Sequence, residues 1–305
     1  MGRRWKKLVF DFKTKLLNRK IYQRHLDNEH LLAPKNAQGL YEYNFNKRKE
    51  LVEHAIKHST YYKEKYGTLA IDPLKLNFEK DFEELPILTR EELRANFEHI
   101  ISDNVSKKDY YRISTSGSSG PAITVLHDKR VPSAPTQWRL LHWWGITPYE
   151  DKAFIYRYPR TILKKVFSTI LWWPTKRIFL AGTEMDEDHM YKFVQAINKT
   201  KPTLIQGYTD VVYEFALFIV DNKLQIHAPK AVWVTSSPLT KQQRVTMQQA
   251  FGAPVYDQYG STEVLYVAAE CSEQKGLHIY KTWCTWNVWM KTTDQYPQIP
   301  WENCC

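Results

Sequence analysis

The sequence predicts an α/β fold with a mostly parallel sheet flanked by helices, on three observations. From about residue 151 onward, short apolar runs alternate with stretches of helical period. No internal repeat interrupts that alternation. The chain has 305 residues, 43% of them hydrophobic, which suffices for a sizeable core.

The elements follow in order. Residues 28–40 carry no period and read as a loop. Residues 44–66 read as a helix with Leu51, Ala55, Ile56 and Tyr61 on one side. Leu85 to Thr89 is extended, and Thr89 with Glu92 forms a capping box that starts a helix. Residues 110–127 read strand, Gly/Ser turn, strand. Strands are then expected at 151–157, 176–180, 201–207, 231–235 and 255–258, with helices at 186–200, 210–222 and 240–251.

Composition excludes several classes. The chain is too apolar and aromatic for a disordered protein. Four cysteines do not make a disulfide scaffold. No apolar run reaches the ~18–20 residues of a membrane-spanning helix. The basic start MGRRWKKLVFDF lacks the long apolar stretch of a secretory leader, so a cytoplasmic location is expected. A net charge of +10 favours anionic partners. Nucleic acid ranks last among these, because no recognised module accompanies the charge.

Within residues 1–44, Trp5, Leu8, Val9, Phe12, Leu16 and Leu17 fall at helical spacing among Arg3, Arg4, Lys6, Lys7, Lys13, Lys15, Arg19 and Lys20. Such a basic amphipathic helix suits an anionic membrane surface, or packing on its own domain with a solvated basic face. The segment RYPRTILKKVFSTILWW (residues 157–173) is a second basic-aromatic stretch. It reads as core, as substrate-pocket wall or as a lipid-facing lid.

The most informative segment is Ser114-Thr115-Ser116-Gly117-Ser118-Ser119-Gly120. Its glycines let backbone N–H groups converge, and these with the hydroxyls can surround a phosphate. No Lys-Ser/Thr follows the second glycine, so it is not a Walker motif. A flexible hairpin is the plainer reading. Well downstream, Tyr259-Gly260-Ser261-Thr262-Glu263 follows a strand. An aromatic beside a glycine can stack on a flat base. A hydroxyl and a carboxylate can hold a phosphate oxygen and Mg²⁺. A strand ending in a tight turn is the alternative.

Together the two segments resemble the adenylate-forming (AMP-binding) synthetases. LVEHAIKHSTYYKEKYG, LPILTREELRANF and KPTLIQGYTDVVYEFA narrow the resemblance to the phenylacetate–CoA ligase family, nearest its relatives in capsular polysaccharide gene clusters. The resemblance covers roughly residues 45–281. It implies the large N-terminal domain of adenylate-forming enzymes. It also implies ATP- and Mg²⁺-dependent joining of a small carboxylic acid to AMP, then transfer to coenzyme A or another acceptor. Carried over by position, Ser114 to Gly120 form the triphosphate loop, and Tyr259 and Gly260 border adenine. Thr262 contacts phosphate, and Glu263 is the Mg²⁺ carboxylate. Where many relatives carry a Gly-Glu pair, this chain has Ser236-Ser237. Some relatives bind structural Zn²⁺ near Cys271 and His278. A four-coordinate site needs two further ligands, and a lone cysteine is commonly a small buried hydrophobe.

The resemblance also implies a ribose-binding Asp and a small C-terminal domain with a Lys, neither found before residue 305. A non-catalytic nucleotide- or acyl-binding protein is therefore the alternative function. Residues 282–305 hold Trp283, Trp286, Trp289 and Trp301 without helix or strand period. Read from one base upstream, their codons force Val, Glu, Asp and Glu into an alternating apolar–polar segment with a hairpin signal. A single-base frameshift after Lys281 is expected, leaving residues 282–305 out of frame and acid activation impaired. Sequencing the gene across codon 281 checks this: the expected outcome is that the shifted frame stays open for a further domain, and immediate closure of that frame would refute it.

Overall fold

The computed structural model describes residues 2–17, 21–23, 37–69, 72, 75, 79–115, 120–131, 133–159 and 161–280. The chain forms two compact units. One comprises Met1–Leu26 and Ser133–Ile279, and the other contains Asp27–Pro132. The tail of residues 282–305, most of residues 28–40 and Ser116 to Ser119 lie outside the described residues.

The smaller unit begins with α2 (Ala37–His58) and α3 (Thr60–Gly67), where a single longer helix is expected. The break falls at Ser59, whose side chain accepts the Tyr62 N–H and caps α3. Helix α2 starts at Ala37, inside the expected loop. Its inward residue is Val52, whereas Leu51 faces solvent. Val52 and Tyr66 pack with Ile56, Tyr62, Phe82 and Leu85. The capping box at α5 (Arg90–Ala95), which follows the short α4 (Glu79–Glu83), forms as expected. Lys65 and the Thr89 N–H draw the Glu92 carboxyl down to about 2. After α6 (Phe97–Ile100), β1 (Tyr110–Ser114) and β2 (Thr124–Asp128) form the predicted antiparallel hairpin.

The larger unit carries α1 (Arg3–Leu17) and then α7 (Ala134–Trp143), β3 (Lys152–Tyr156), α8 (Ile162–Trp172) and β4 (Arg177–Ala181). It continues with α9 (Glu187–Thr200), β5 (Leu204–Tyr208), α10 (Thr209–Asp221), β6 (Ala231–Thr235), α11 (Lys241–Phe251) and β7 (Val255–Tyr259). Two short strands, β8 (Ala268–Glu270) and β9 (Leu277–Ile279), close it. The sheet order is β4-β3-β5-β6-β7-β8-β9. β4 through β7 in that order are parallel, and β8 and β9 run antiparallel. The expected parallel α/β sheet is therefore present.

Side-chain alternation gives the sheet two faces. Ala153, Ile155, Ile205, Val232, Val234 and Val255 pack against α9, α10 and α11 through residues such as Phe193, Phe215 and Phe251. The opposite face is aromatic. Trp144 stacks on Tyr256 at 4.9 Å and meets Trp233 edge-on at 5.4 Å. Phe154 stacks on Phe179 at 5.0 Å. Gly207 is required between β3 and β5: a Cβ there would lie 2.2 Å from the Ile155 carbonyl oxygen.

Helix α1 packs on this unit. Phe10 meets Trp138 edge-on at 5.1 Å, Thr14 is buried, and Lys6 pairs with Asp151 at 2.6 Å. Lys152, at the start of β3, is 2% exposed. Burial, with Arg177 nearby, lowers its ammonium to about 7. The unfolded chain binds this proton up to a much higher pH, so wild-type stability should rise from pH 7 toward pH 10. Lys152→Met is expected to stabilise the fold by at least about 2 kcal/mol at pH 7, with the gain shrinking as pH approaches 10. Chemical denaturation of both proteins across that range measures it.

Candidate functional site

The β3–β4–β5 connection reverses direction across the sheet. The chain leaves β3 for β4 on one side and returns to β5 on the other. Open parallel sheets bind ligands outside the strand carboxyl ends at such a reversal. Here the carboxyl ends present Arg157 after β3, Tyr208 at the end of β5, Ser236 after β6 and the turn of residues 259–263 after β7.

Arg157 donates to Asp210 Oδ2 at 2.8 and 3.2 Å, and its guanidinium lies 5.3 Å from the Tyr208 ring centroid. Asp210 is a residue that sequence reasoning missed. Its one signal is position, an acid in the first turn of the helix after an apolar strand. Buried Thr209 joins two strand ends by donating to the Thr235 and Ser237 carbonyls at 3.1 and 3.0 Å. Thr235 in turn donates to the Gln258 carbonyl at 2.9 Å. Ser236 sits at φ 83°, a backbone state that favours glycine. Ser236 thus adopts a glycine-like backbone at the end of β6.

The turn after β7 is built on Gly260. A Cβ there would stand 2.1 Å from the Leu265 carbonyl oxygen, so only glycine fits. The Ser261 N–H donates to the Val264 carbonyl at 2.8 Å, and the Val264 N–H to Ser261 Oγ at 3.1 Å. Gln258 Nε2 donates to the Leu265 carbonyl at 3.0 Å. These bonds leave the Tyr259 ring half-exposed and the Glu263 carboxylate in solvent. Thr262 lies between them, partly buried. The turn thus brings Tyr259, Gly260, Thr262 and Glu263 together. Glu263 makes no hydrogen bond or ion pair among the described residues, so its oxygens suit a hard cation such as Mg²⁺.

A buried ion pair holds β7, β8 and α11 in register below the turn. Arg244 meets Glu270 in a two-pronged contact at 2.8 and 3.0 Å, and the Asp257 N–H donates to Glu270 Oε2 at 2.8 Å. Burial and the Glu270 charge push the Asp257 carboxyl up to about 6, against the pull of Arg244. Nearby, buried Cys271 and His278 do come together, with Sγ and Nε2 3.1 Å apart. Burial lowers the His278 imidazole, favouring its neutral form. Among the described residues no group of three or more His, Cys, Asp or Glu side chains gathers there, so a complete Zn²⁺ ligand set is not present among them.

The Gly/Ser loop belongs to the smaller unit and is described with it. Ser114 Oγ lies 2.9 Å from Thr124 Oγ1, and Thr115 Oγ1 accepts the Ile123 N–H at 3.0 Å. Both hydroxyls therefore close the base of the hairpin. Gly120 is exposed at φ 137°, a state reserved for glycine. Ser116, Gly117, Ser118 and Ser119 fall outside the described residues. Leu93, Arg94, Phe97, Arg112, Ala122 and Thr124 line a shallow cavity beside the hairpin, and Arg94 donates to the Pro121 carbonyl at 3.2 Å. The cavity places two guanidinium groups beside the described part of the hairpin, a feature with no motif in the sequence.

Gly260→Ala is expected to destabilise the larger unit by about 1–3 kcal/mol through this overpacking. Thermal unfolding of the variant beside wild type provides the check.

No family model matches the chain. It is 22% identical over 273 residues to Protein CapK of Staphylococcus aureus, covering 84% of this chain and 57% of that protein. The structure matches 2-hydroxyisobutyryl-CoA ligase in its open conformation with 2-HIB-AMP and CoA. The TM-score is 0.61 at 17% identity, over 76% of this chain and 57% of that one. It also matches the same ligase in the postadenylation state with 2-HIB-AMP, with a TM-score of 0.62 at 17% identity, over 80% and 53%. The chain thus spans little more than half the length of these proteins. Its fold matches that of the N-terminal domain of adenylate-forming enzymes, and the expected resemblance to adenylate-forming ligases and to a capsule protein is borne out at that level.

Proposed function

We propose that the chain is the nucleotide-binding core of an ATP-dependent acid-activating ligase of the phenylacetate–CoA ligase type, encoded with capsular polysaccharide functions. The observation that carries this reading is the turn after β7. It offers a half-exposed aromatic ring, a glycine with no room for a Cβ, a threonine hydroxyl and a solvent-exposed carboxylate within five consecutive residues.

In this reading Tyr259 stacks on adenine and Gly260 leaves room beside it. Thr262 holds a phosphate oxygen. Glu263 supplies an oxygen to Mg²⁺, which when bound neutralises phosphate charge. The Ser114–Gly120 loop wraps the triphosphate through its backbone N–H groups and hydroxyls. Of its hydroxyls, those of Ser116, Ser118 and Ser119 serve this role, since Ser114 and Thr115 are committed to the hairpin base. The carboxylic acid attacks the α-phosphorus of ATP as its anion, the α–β phosphoanhydride bond breaks to release pyrophosphate, and no base is needed, so these groups act by positioning and charge stabilisation. The acyl group of the acyl-adenylate then passes to the thiol of coenzyme A or to another acceptor, releasing AMP. The reading is supported by the shared fold and by the ligase structures that hold an acyl-AMP and CoA.

Titration calorimetry with Mg·ATP is expected to show binding that Tyr259→Ala weakens about tenfold, the loss of one base–aromatic stack. Glu263→Gln is expected to weaken Mg·ATP but not metal-free ATP. No ATP binding, or binding indifferent to both changes, would overturn the assignment.

A further inference from the structure

Helix α8 is built inside out. Leu163, Val166, Phe167 and Ile170 recur at helical spacing, yet they face solvent, Leu163 at 83% exposure and Phe167 and Ile170 at 67%. Its inward side holds buried Ser168 together with Trp172, whose ring stacks on the Arg177 guanidinium at 3.4 Å. The apolar face of α8 is therefore not core. Helix α1 shows a second outward stripe. Trp5, Leu8, Phe12 and Leu16 are exposed while Lys6, Phe10 and Thr14 face the unit. The two helices meet: Lys13 Nζ donates to the Trp173 and Leu171 carbonyls at 2.6 and 3.2 Å and lies over the Trp173 ring.

Large side chains left in water at this density mark a docking surface. The charge around them selects the occupant. Helix α1 carries Arg3, Arg4, Lys6, Lys7, Lys13 and Lys15 against Asp11 alone, and α8 carries Lys164 and Lys165 with no acid. Arg4, Lys7 and Lys15 are exposed beside the α1 stripe. Two apolar stripes, the α1 one bordered by exposed cations, with tryptophans at 5 and 173, fit the interface of an anionic bilayer. There, side chains enter the acyl boundary and cations meet headgroups. No helix among the described residues is long and apolar enough to cross a membrane, so the contact is peripheral. We infer that the outward faces of α1 and α8 together form an anionic-lipid docking surface. The inference is independent of the proposed ligase chemistry.

The test is sedimentation of the full chain with phosphatidylcholine vesicles, with and without phosphatidylglycerol. Binding is expected for the anionic vesicles, falling with added salt. Phe167→Asp with Ile170→Asp, and separately Leu8→Asp with Phe12→Asp, should each lower the partition coefficient at least about tenfold. Arg4→Glu with Lys15→Glu should weaken it by a similar factor. Lys6 is left intact because its pair with Asp151 is structural. Should the aspartate variants fail to fold, hydrogen exchange on the wild-type chain still decides: amides of α1 and α8 should slow on anionic vesicles. Absence of sedimentation overturns the inference, as does sedimentation unaffected by either stripe. A concentration-dependent dimer that the stripe variants abolish, without vesicle binding, assigns the surface to a second copy and overturns it too.

Discussion

The larger unit depends on one buried carboxylate. Glu270 is 7% exposed and accepts hydrogen bonds from both outer nitrogens of Arg244 and from the Asp257 N–H. A carboxylate so placed is tolerable only with its lone pairs filled, and losing Arg244 would strand a buried charge. Because Arg244 lies on α11, Asp257 on β7 and Glu270 on β8, the cluster fixes three elements at once. Between β7 and β8 runs the turn with Tyr259, Gly260, Thr262 and Glu263. Its shape follows from this clamp beneath it and from the close passage of Leu265 over Gly260.

The remainder of the site follows from sheet order. Parallel strands bring their carboxyl ends to one edge, so loops distant in sequence converge there. Thr209 and Thr235 stitch adjacent strand ends through carbonyl contacts, and Arg157 reaches Asp210 across the reversal between β3 and β5. These bonds are modest individually. Their effect is to fix loop directions, which suits a chemistry that works by positioning.

The molecule also shows that helical period does not say which side faces inward. In α9 the apolar face is buried, with Met190, Phe193, Val194 and Ile197 in the core. In α8 an equally clear stripe is turned outward, and the inward contacts are made by a serine and a tryptophan–arginine stack. In α1 both occur: Phe10 anchors the helix, while Phe12 and Leu16 remain in water. Of the alternatives for the basic N-terminal helix, packing on its own domain is the one seen, and a helix has faces enough to do so while exposing a second apolar stripe.

Much of the fold was legible in the sequence. Strands β3 to β7 and helices α9 to α11 read directly, because buried strands and capped helices carry local signals: Asp186 before α9, Thr240 with Gln243 at α11, Thr89 with Glu92 at α5. The turn after β7 and the Gly/Ser hairpin were legible as well, since glycine and hydroxyl clusters record backbone demands in composition. The break at Ser59 and the inward Val52 were not, because a single capping bond outweighed a continuous period. The Arg157–Asp210 pair and the Arg244–Glu270 clamp join residues whose partners the sequence does not mark. Local propensity and period depend on neighbours within a few residues, so the sequence alone determined them. Which face turns inward and which distant charges meet depend on sheet order and crossover direction, and only the tertiary structure decided those.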